Sequence, residues 1–360
     1  MIMDLYLEKL TVVIFSYNRQ EYLKRTIKFW SSYSVNVLVL DGSDNKLDDI
    51  FLQKKNIKYI YDKRSLYDRL LETINHINTE FMILSCDDEF YLPSALSTCV
   101  KFLSNQNTYS SCKGTALGFF SDNKKKIICA RQIYQELLGI HLYQDNASDR
   151  IKKHFYNYTI AHLFSVTRTH QWKIICKHVF EKEYNFYAVW ELQIEFLLMV
   201  SGKSKIIPEL MWMRNIEVPR IRNTSPSMAY LEISDWWNND NYKLEKKNFL
   251  FRMKNACNEI LIDQNSKFTE DEIEKLFEIY INRFYTRKKS LIRKIVDLIP
   301  VNVKRCIKSI LNWEKFILKK RQMTFNNARS LEEEANLLKK RGIFVNYKEI
   351  NLIISAIQNH

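Results

Sequence analysis

The chain has 360 residues, of which 46% are hydrophobic and 13% are aromatic, and its formal net charge is +14. This length and composition predict one or two domains with a substantial core. The six glycines and five prolines argue against disordered linkers and against repeat architectures that need periodic glycine. Seven scattered cysteines without a CxxC pair argue against a zinc site and indicate reduced thiols.

The apolar stretches of the chain are all short. None approaches the roughly 18 residues that a membrane-spanning helix needs. Segment 1–10 is short and charged, unlike a signal peptide. We therefore expect a cytoplasmic protein, with any membrane attachment peripheral and at the inner face of the plasma membrane.

Residues 11–100 alternate between strand and helix patterns. Four short apolar runs rich in β-branched or aromatic residues predict buried parallel strands, at 11–15, 35–40, 57–61 and 81–84. Helices are predicted between them, at 20–33 and 65–77, and another begins at Pro93. The alternation predicts an α/β fold with a doubly wound, mainly parallel sheet flanked by helices.

The pattern changes near residue 240. From 243 onward the chain has the periodicity of helices, and a polar run precedes this change. We predict an α/β domain at 1–240 and an all-helical region at 241–360.

Polar residues follow three of the predicted strands. The strand ends carry Ser-Tyr-Asn-Arg at 16–19, Asp-Gly-Ser-Asp at 41–44 and Asp-Asp-Glu at 87–89. Open α/β sheets bind their ligands at the carboxyl ends of the strands. An aromatic ring, an acid suited to a base or ribose, and an acidic cluster suited to a metal together predict a site for a nucleoside diphosphate.

These segments resemble the GT-A nucleotide-sugar glycosyltransferases, in particular the family-2-like inverting enzymes. In that family the first strand ends in Tyr-Asn-Arg and the second in Asp-Gly-Ser. A later strand ends in an Asp-x-Asp-type motif, and an Arg commonly lies about one helix-length before that motif. The resemblance covers 10–215 and implies a Rossmann-like GT-A fold. The donor-binding residues that it implies are Ser16, Tyr17, Arg19, Asp41, Arg69 and Asp87.

The acidic motif is where this sequence departs from the family pattern. The resemblance implies that Asp87, Asp88 and Glu89 hold Mn²⁺ or Mg²⁺, which prefer oxygen ligands. An ungapped match puts Ser85 at the first acidic position and Asp87 at the second. The working pair could then be Asp87 with Asp88 or Asp87 with Glu89. The alternative is a solvated acidic turn before a helix N-terminus.

A base that deprotonates the acceptor hydroxyl is needed for an inverting transfer. In the family, an acid often begins a helix eleven positions before a glycine, and counting back from Gly202 reaches Glu191. Glu195 lies one turn further on and would share the helix face. The alternative for Glu191 is a first-turn acid that favours the helix dipole.

Segment 287–321 holds most of the excess positive charge. Twelve basic residues stand there against Asp297 and Glu314, a net charge of +10, and apolar residues alternate with them at helical spacing. The pattern suits an interfacial helix on an anionic membrane surface. The alternative is a helical subdomain with a basic outer face. The segment carries no recognisable nucleic-acid-binding motif.

The resemblance implies transfer of a hexosyl or related sugar from a nucleotide-sugar donor to a saccharide or lipid-linked saccharide acceptor, in bacterial surface polysaccharide assembly. Two rivals remain. The same fold could transfer another group, such as an alditol phosphate. It could also be an inactive scaffold for binding or assembly, which Ser85 favours.

Overall fold

The computed structural model describes residues 2–48, 54–122, 127–135, 140, 142–159, 161–186, 188–216, 233–262, 267–286 and 329–358. Within these residues, no helix is both long and apolar enough to cross a membrane.

The first part of the chain builds the parallel half of the sheet. Its elements are α1 (Ile2–Leu7), β1 (Leu10–Ser16), α2 (Gln20–Trp30), β2 (Asn36–Asp41), β3 (Ile57–Tyr61), α3 (Leu66–Leu71), α4 (Thr73–His76) and β4 (Phe81–Cys86). The strands lie in the order β3-β2-β1-β4, and each pair is parallel. In this register Ser16 pairs with Asp41, and Phe15 pairs with Cys86. The polar strand ends therefore meet at one edge, as predicted.

Local sequence explains where these helices begin. The hydroxyl of Ser65 accepts a hydrogen bond from the backbone N–H of Asp68, which caps α3. The predicted helix over 65–77 is divided into two at Glu72. Pro93 occupies the first turn of α5 (Pro93–Asn105), where its missing N–H is not needed.

The next part of the chain extends the sheet with mostly antiparallel strands. Its further elements are β5 (Phe90–Tyr91), β6 (Tyr109–Asp122), β7 (Ile127–Ile133), α6 (Ala147–Tyr156), β8 (Val166–Arg168), α7 (Thr169–Phe180), α8 (Val189–Ser201) and β9 (Lys203–Asn215). The sheet continues from β4 through β8, β6 and β7. Strand β9 runs parallel to β6 and pairs antiparallel with β5, so that Tyr91 pairs with Trp212. This pairing brings the end of β9 beside the acidic motif.

The described residues after 232 form α9 (Ile233–Asn238), α10 (Lys243–Ile260), α11 (Glu270–Thr286), β10 (Arg329–Ser330), α12 (Leu331–Lys340) and α13 (Tyr347–Gln358). Helices α10 and α11 pack against α6, α7 and α8, and α13 packs against α2. Glu349 of α13 accepts hydrogen bonds from the backbone N–H and the hydroxyl of Ser94, at 3.0 and 2.7 Å. These helices therefore contact the sheet-bearing part of the chain directly.

The predicted α/β fold class is confirmed: a Rossmann-like order of parallel strands with flanking helices is followed, among the described residues, by helices apart from the two-residue β10. The domain limits at 1–240 and 241–360 stay a prediction. The basic segment 287–321 lies outside the described residues.

Candidate active site

Asn18 fixes the turn after β1. Its φ of 54° is in the left-handed region, which asparagine tolerates better than most residues. Its backbone N–H donates to the hydroxyl of Ser43 at 2.8 Å, and its side chain exchanges two hydrogen bonds with Asp44, both 2.9 Å. The turns that follow β1 and β2 are thus tied into one unit.

Asp41, at the end of β2, is fully buried. Its carboxylate accepts hydrogen bonds from the backbone N–H of Ser43 at 2.9 Å, from the hydroxyl of Tyr59 at 2.7 Å and from the side chain of Gln20 at 3.3 Å. Burial raises the pKa of Tyr59, and the hydrogen bond to Asp41 adds to this effect. In this structure Asp41 organises the turn, and its predicted contact with the donor stays a prediction.

Arg69 of α3 lies beneath the strand ends and is only 5% exposed, which excludes the surface ion pair that its helix would otherwise allow. Its guanidinium donates to the carbonyl oxygens of Ser16 at 2.8 Å and Leu40 at 3.0 Å. A Cβ atom on Gly42 would lie 2.4 Å from the guanidinium carbon of Arg69, so a larger residue in the Asp-Gly-Ser turn would displace this buried side chain. Burial lowers the pKa of Arg69.

Four residues form what we call the strand-end cluster: Ser16, Arg19, Asp87 and Asp88. The hydroxyl of Ser16 donates to Asp87 Oδ2 at 2.7 Å. Arg19 donates to both oxygens of Asp87, with Nε to Oδ2 at 3.2 Å, and its terminal nitrogen also lies 3.0 Å from Asp88 Oδ1. The side chain of Asp87 is 1% exposed, that of Asp88 is 8% exposed and that of Arg19 is 28% exposed. The carboxylates of Asp87 and Asp88 thus share the partly exposed guanidinium of Arg19 as their counter-ion.

Glu89 points to other partners. The indole N–H of Trp212 donates to it at 3.0 Å, and Nε of Arg214 lies 3.3 Å from its other oxygen. Burial raises the pKa of Glu89, and the charge of Arg214 opposes this. Candidate ligand atoms of Cys86, Asp88 and Glu89 all lie within 4.8 Å of one another.

The donor set fits a hard divalent ion. Burial raises the pKa of the Cys86 thiol well above its usual value, so this group stays protonated and is a poor ligand for Mg²⁺ or Mn²⁺. Asp88 and Glu89 offer two carboxylates close together, and Mg²⁺ is commonly held by one or two carboxylates with waters and substrate phosphates. Asp87 could add a third once Arg19 leaves it. Ser85, at the first acidic position, is buried and donates to the carbonyl of Cys86 at 3.1 Å.

An open cleft borders the strand-end cluster. Its volume is about 400 Å³, and its lining residues are Asn18, Arg19, Gln20, Glu21, Tyr22, Ser43 and Asn45. Tyr17 precedes this lining and is 57% exposed, which leaves its ring free to stack on a base. A larger surface depression, near Asp149 and Ile279, lies between α6 and α11 and not at the strand ends.

Glu191 and Glu195 are one turn apart on α8 but have different surroundings. Glu195 is fully buried, accepts the backbone N–H groups of Ala161 and Leu163 at 3.1 and 2.8 Å, and lies 2.8 Å from Nε2 of His154. Its carboxylate is therefore occupied within the core. Glu191 is half-buried in the first turn of α8, and its charge contributes to raising the pKa of Tyr158, after burial, Glu195 and Tyr280. Its role as a base stays a prediction.

A second group of buried charges lies inside the molecule. The core cluster comprises Lys113, His154, His162 and Glu195, each at most 2% exposed. Lys113 donates to the carbonyl of Ala161 at 2.8 Å, and burial lowers its pKa to about 7. Burial also lowers the pKa of His162 well below its usual value.

Sequence reasoning missed three side chains of the site. Trp212 and Arg214 reach Glu89 from β9, and Arg25 lies between the rings of Tyr22 and Phe90, with 5.0 and 5.1 Å to their centroids. The available signal was the period-2 spacing of Trp212 and Arg214. This spacing indicates that the two side chains lie on the same face of a strand, but it does not indicate that this face contacts Glu89.

No family model matches this chain, and a comparison with curated proteins finds no match. Among solved structures, the crystal structure of S. aureus TarS is similar at 12% identity and a TM-score of 0.48, over 78% of this chain and 44% of that chain. S. aureus TarS 1–349 in complex with UDP is similar at 10% identity and a TM-score of 0.48, over 82% and 76%. The same fragment in complex with UDP-GlcNAc matches at 12% identity and 0.48, over 79% and 77%. This chain thus spans less than half of the first TarS chain, and these similarities assign it to no family.

Proposed function

We propose that this protein is a glycosyltransferase that moves a sugar from a nucleoside diphosphate donor to a saccharide or lipid-linked saccharide. One observation carries the proposal. Asp87, Asp88 and Arg19 form a cluster of paired charge at the carboxyl ends of β1 and β4, where open α/β sheets bind ligands. The exposed ring of Tyr17 and an open cleft adjoin this cluster.

Each part of a nucleoside diphosphate has a candidate partner. Tyr17 would pack on the base, and Arg19 would contact the diphosphate, because a guanidinium matches phosphate oxygens. Asp88 and Glu89, with Asp87, would hold Mn²⁺ or Mg²⁺. When bound, the ion would neutralise charge that develops on the diphosphate leaving group.

Inversion at the sugar carbon requires the acceptor hydroxyl to attack opposite the leaving group and to lose its proton to a base. We assign that role to Glu191, which begins α8 and is half-buried, whereas Glu195 is occupied by backbone N–H groups. The proposed reaction is therefore an inverting, metal-dependent sugar transfer in surface polysaccharide assembly.

Calorimetry with the full chain tests the donor. The panel holds UDP-, GDP-, CDP- and dTDP-sugars, with UDP-GlcNAc and a CDP-alditol among them, each with and without Mn²⁺. We expect one sugar nucleotide to bind at least about tenfold more tightly with Mn²⁺, a difference of about 1.4 kcal/mol. Slow Mn²⁺-dependent hydrolysis of that donor would separate an enzyme from an inactive scaffold. Preference for the CDP-alditol would move the function to alditol-phosphate transfer, and no binding by any nucleotide would contradict a donor site.

The acceptor side leads to a second proposal, that an anionic membrane surface is a partner. A lipid-linked acceptor lies at a membrane, and segment 287–321, with its net charge of +10, could hold the enzyme there. Each basic residue near an anionic surface contributes up to about 1 kcal/mol, reduced by salt. Co-sedimentation should therefore be stronger with phosphatidylglycerol vesicles than with neutral ones and weaker at high salt. Binding that ignores lipid charge would contradict this.

A further inference from the structure

Arg19 occupies the position that a divalent ion would take against Asp87. Both oxygens of the Asp87 carboxylate accept hydrogen bonds from Arg19, and one of them also accepts from Ser16 at 2.7 Å. Among the described residues, Arg19 is the only cationic side chain that forms an ion pair with both Asp87 and Asp88. A metal ion can therefore reach Asp87 only if Arg19 first leaves it.

The two carboxylates need a cation at all times. They are adjacent in sequence and almost buried, at 1% and 8% exposure, and like charges at such sites repel strongly unless a positive charge lies between them. Arg19 supplies that charge to both carboxylates in this structure, and Arg25, whose guanidinium lies 3.4 Å from the carbonyl oxygen of Asp88, adds positive charge near Asp88. The departure of Arg19 is favourable only if another cation arrives and its guanidinium finds another anion.

The local structure lets the side chain of Arg19 move while its backbone stays in place. The Asn18 turn is fixed by hydrogen bonds to Ser43 and Asp44, and Arg19 follows it at the start of α2. The guanidinium is 28% exposed, lines the cleft and lies 5.4 Å from the centroid of the Tyr22 ring. Because the guanidinium is partly exposed and lines the cleft, rotation about its side-chain bonds is the route by which it would leave the carboxylates.

We propose that Arg19 is an exchangeable counter-ion that keeps the metal site closed until the donor arrives. The diphosphate of the donor draws the guanidinium away, and a divalent ion takes its place on Asp87 and Asp88. No covalent bond changes in this exchange. The inference rests on the proposed function, and it adds that metal and nucleotide bind cooperatively through Arg19. Such coupling is reciprocal: each ligand raises the affinity for the other by the same factor.

Mn²⁺ binding by the full chain in the absence of nucleotide tests this, measured calorimetrically. Arg19→Gln removes the competing cation, so we expect its Mn²⁺ affinity to be about tenfold higher than that of the wild type. Arg19→Lys keeps the charge but loses the two-pronged contact, so its affinity should lie between the two. Lys24→Gln is the matched control, because Lys24 is similarly half-buried on the same helix and pairs with Glu21. Its Mn²⁺ affinity should equal that of the wild type.

A second measurement gives the coupling directly. The ratio of Mn²⁺ dissociation constants without and with UDP should be about tenfold smaller in Arg19→Gln than in the wild type. Circular dichroism melts confirm that each variant folds. If Arg19→Gln does not fold, Arg19→Lys serves alone, with an expected gain of about threefold in Mn²⁺ affinity.

The outcomes separate this inference from the proposed function. Unchanged or weaker Mn²⁺ affinity in the Arg19 variants overturns the exchange, while Mn²⁺-dependent donor binding by the wild type would leave the proposed function standing. Tighter Mn²⁺ binding by Arg19→Gln without nucleotide binding by any protein supports the competition but overturns the donor site. No Mn²⁺ binding by any variant overturns both.

Discussion

Among the described residues, two clusters of buried charge differ in what the charges contact. In the strand-end cluster, the carboxylates of Asp87 and Asp88 bind other side chains, and their counter-ion is 28% exposed. In the core cluster, Glu195 and Lys113 bind mainly the backbone of 161–163, and both are fully buried. Burial of charge alone therefore does not distinguish a site from a structural network. The distinction lies in whether the partners can be exchanged.

The backbone contacts of the core cluster hold a short turn in place. Glu195 on α8 accepts two N–H groups from the turn, and Lys113 on β6 donates to a carbonyl of the same turn. Because these partners are backbone groups of the turn itself, replacing them would break the hydrogen bonds that hold the turn. Substitutions in the strand-end cluster should thus change ligand binding, whereas substitutions in the core cluster should change stability and leave ligand binding unaltered.

Asp87→Asn should show the largest effect on binding. It removes the charge that pairs with Arg19 and that would bind the metal, so we expect Mn²⁺-dependent nucleotide binding to fall by about 100-fold or more. Glu89→Gln should do the same if Glu89 holds the ion. The check is calorimetric titration with the donor and Mn²⁺, beside thermal melts. Unchanged metal-dependent affinity in both variants would show that the acidic motif is only a turn.

Glu191→Gln should affect turnover and leave binding unchanged. Loss of a general base lowers turnover by roughly 10²–10⁴-fold, and the donor affinity should stay within about twofold because Glu191 is assigned to the acceptor. The two quantities are measured by product formation with the true acceptor and by donor calorimetry. Near-normal turnover would remove Glu191 from the mechanism.

The sequence was sufficient for the features that depend on nearby residues. The strand runs, the Ser65 cap and the start of α11 at Thr269, whose hydroxyl accepts from the N–H of Glu272, all follow from local patterns. The convergence of Ser16, Asp41 and Cys86 at one edge follows from parallel pairing, because the carboxyl ends of parallel strands meet.

The features that could not be predicted from the sequence depend on contacts between residues far apart along the chain. Arg19 and Asp87 are 68 positions apart, and their pairing depends on the register of β1 against β4. Arg69 is buried beside Gly42, whose missing side chain leaves room for the guanidinium. Trp212 reaches Glu89 only through the pairing of β5 with β9. Sequence periodicity specifies which residues share a face of a helix or strand and where the element ends. Which side chains they contact depends on how the strands pair in the assembled sheet.

Glu195→Ala should destabilise the fold without weakening the donor site. It leaves two backbone N–H groups without their acceptor and removes the carboxylate that lies 2.8 Å from Nε2 of His154, and breaking a buried pair in this way costs about 3–5 kcal/mol. Glu191→Ala, one turn away and half-buried, is the matched control and should change stability by no more than about 1 kcal/mol. Urea denaturation measures both. If both variants lost the same free energy of unfolding, the core cluster would not differ from the rest of the molecule in its contribution to stability.

Lys113→Met tests the comparison of the two clusters through the pH dependence of the free energy of unfolding. Of the four substitutions predicted here, it should have the smallest effect. The unfolded chain keeps the lysine proton up to its usual pKa of 10.5, whereas burial makes the folded protein release it at about 7. Between these values the unfolded state binds more protons, so this group makes wild-type stability rise with pH, by about 1.4 kcal/mol per pH unit. Methionine has no such proton and fills a similar volume. Relative to Lys113→Met, the wild type should therefore gain about 2 kcal/mol between pH 7 and pH 9.

The free energy of unfolding of both proteins, from urea titrations at pH 6, 7, 8 and 9, gives this difference directly. Subtracting the variant removes the titration of every group that the two proteins share. Below pH 7 both folded and unfolded wild type hold the proton, so the difference should be flat there and should begin to change only above pH 7. A difference that is constant from pH 6 to pH 9 would mean that Lys113 keeps its charge in the core, held by Glu195. The core cluster would then contain a permanent ion pair, and the contrast with the strand-end cluster would rest on exposure alone.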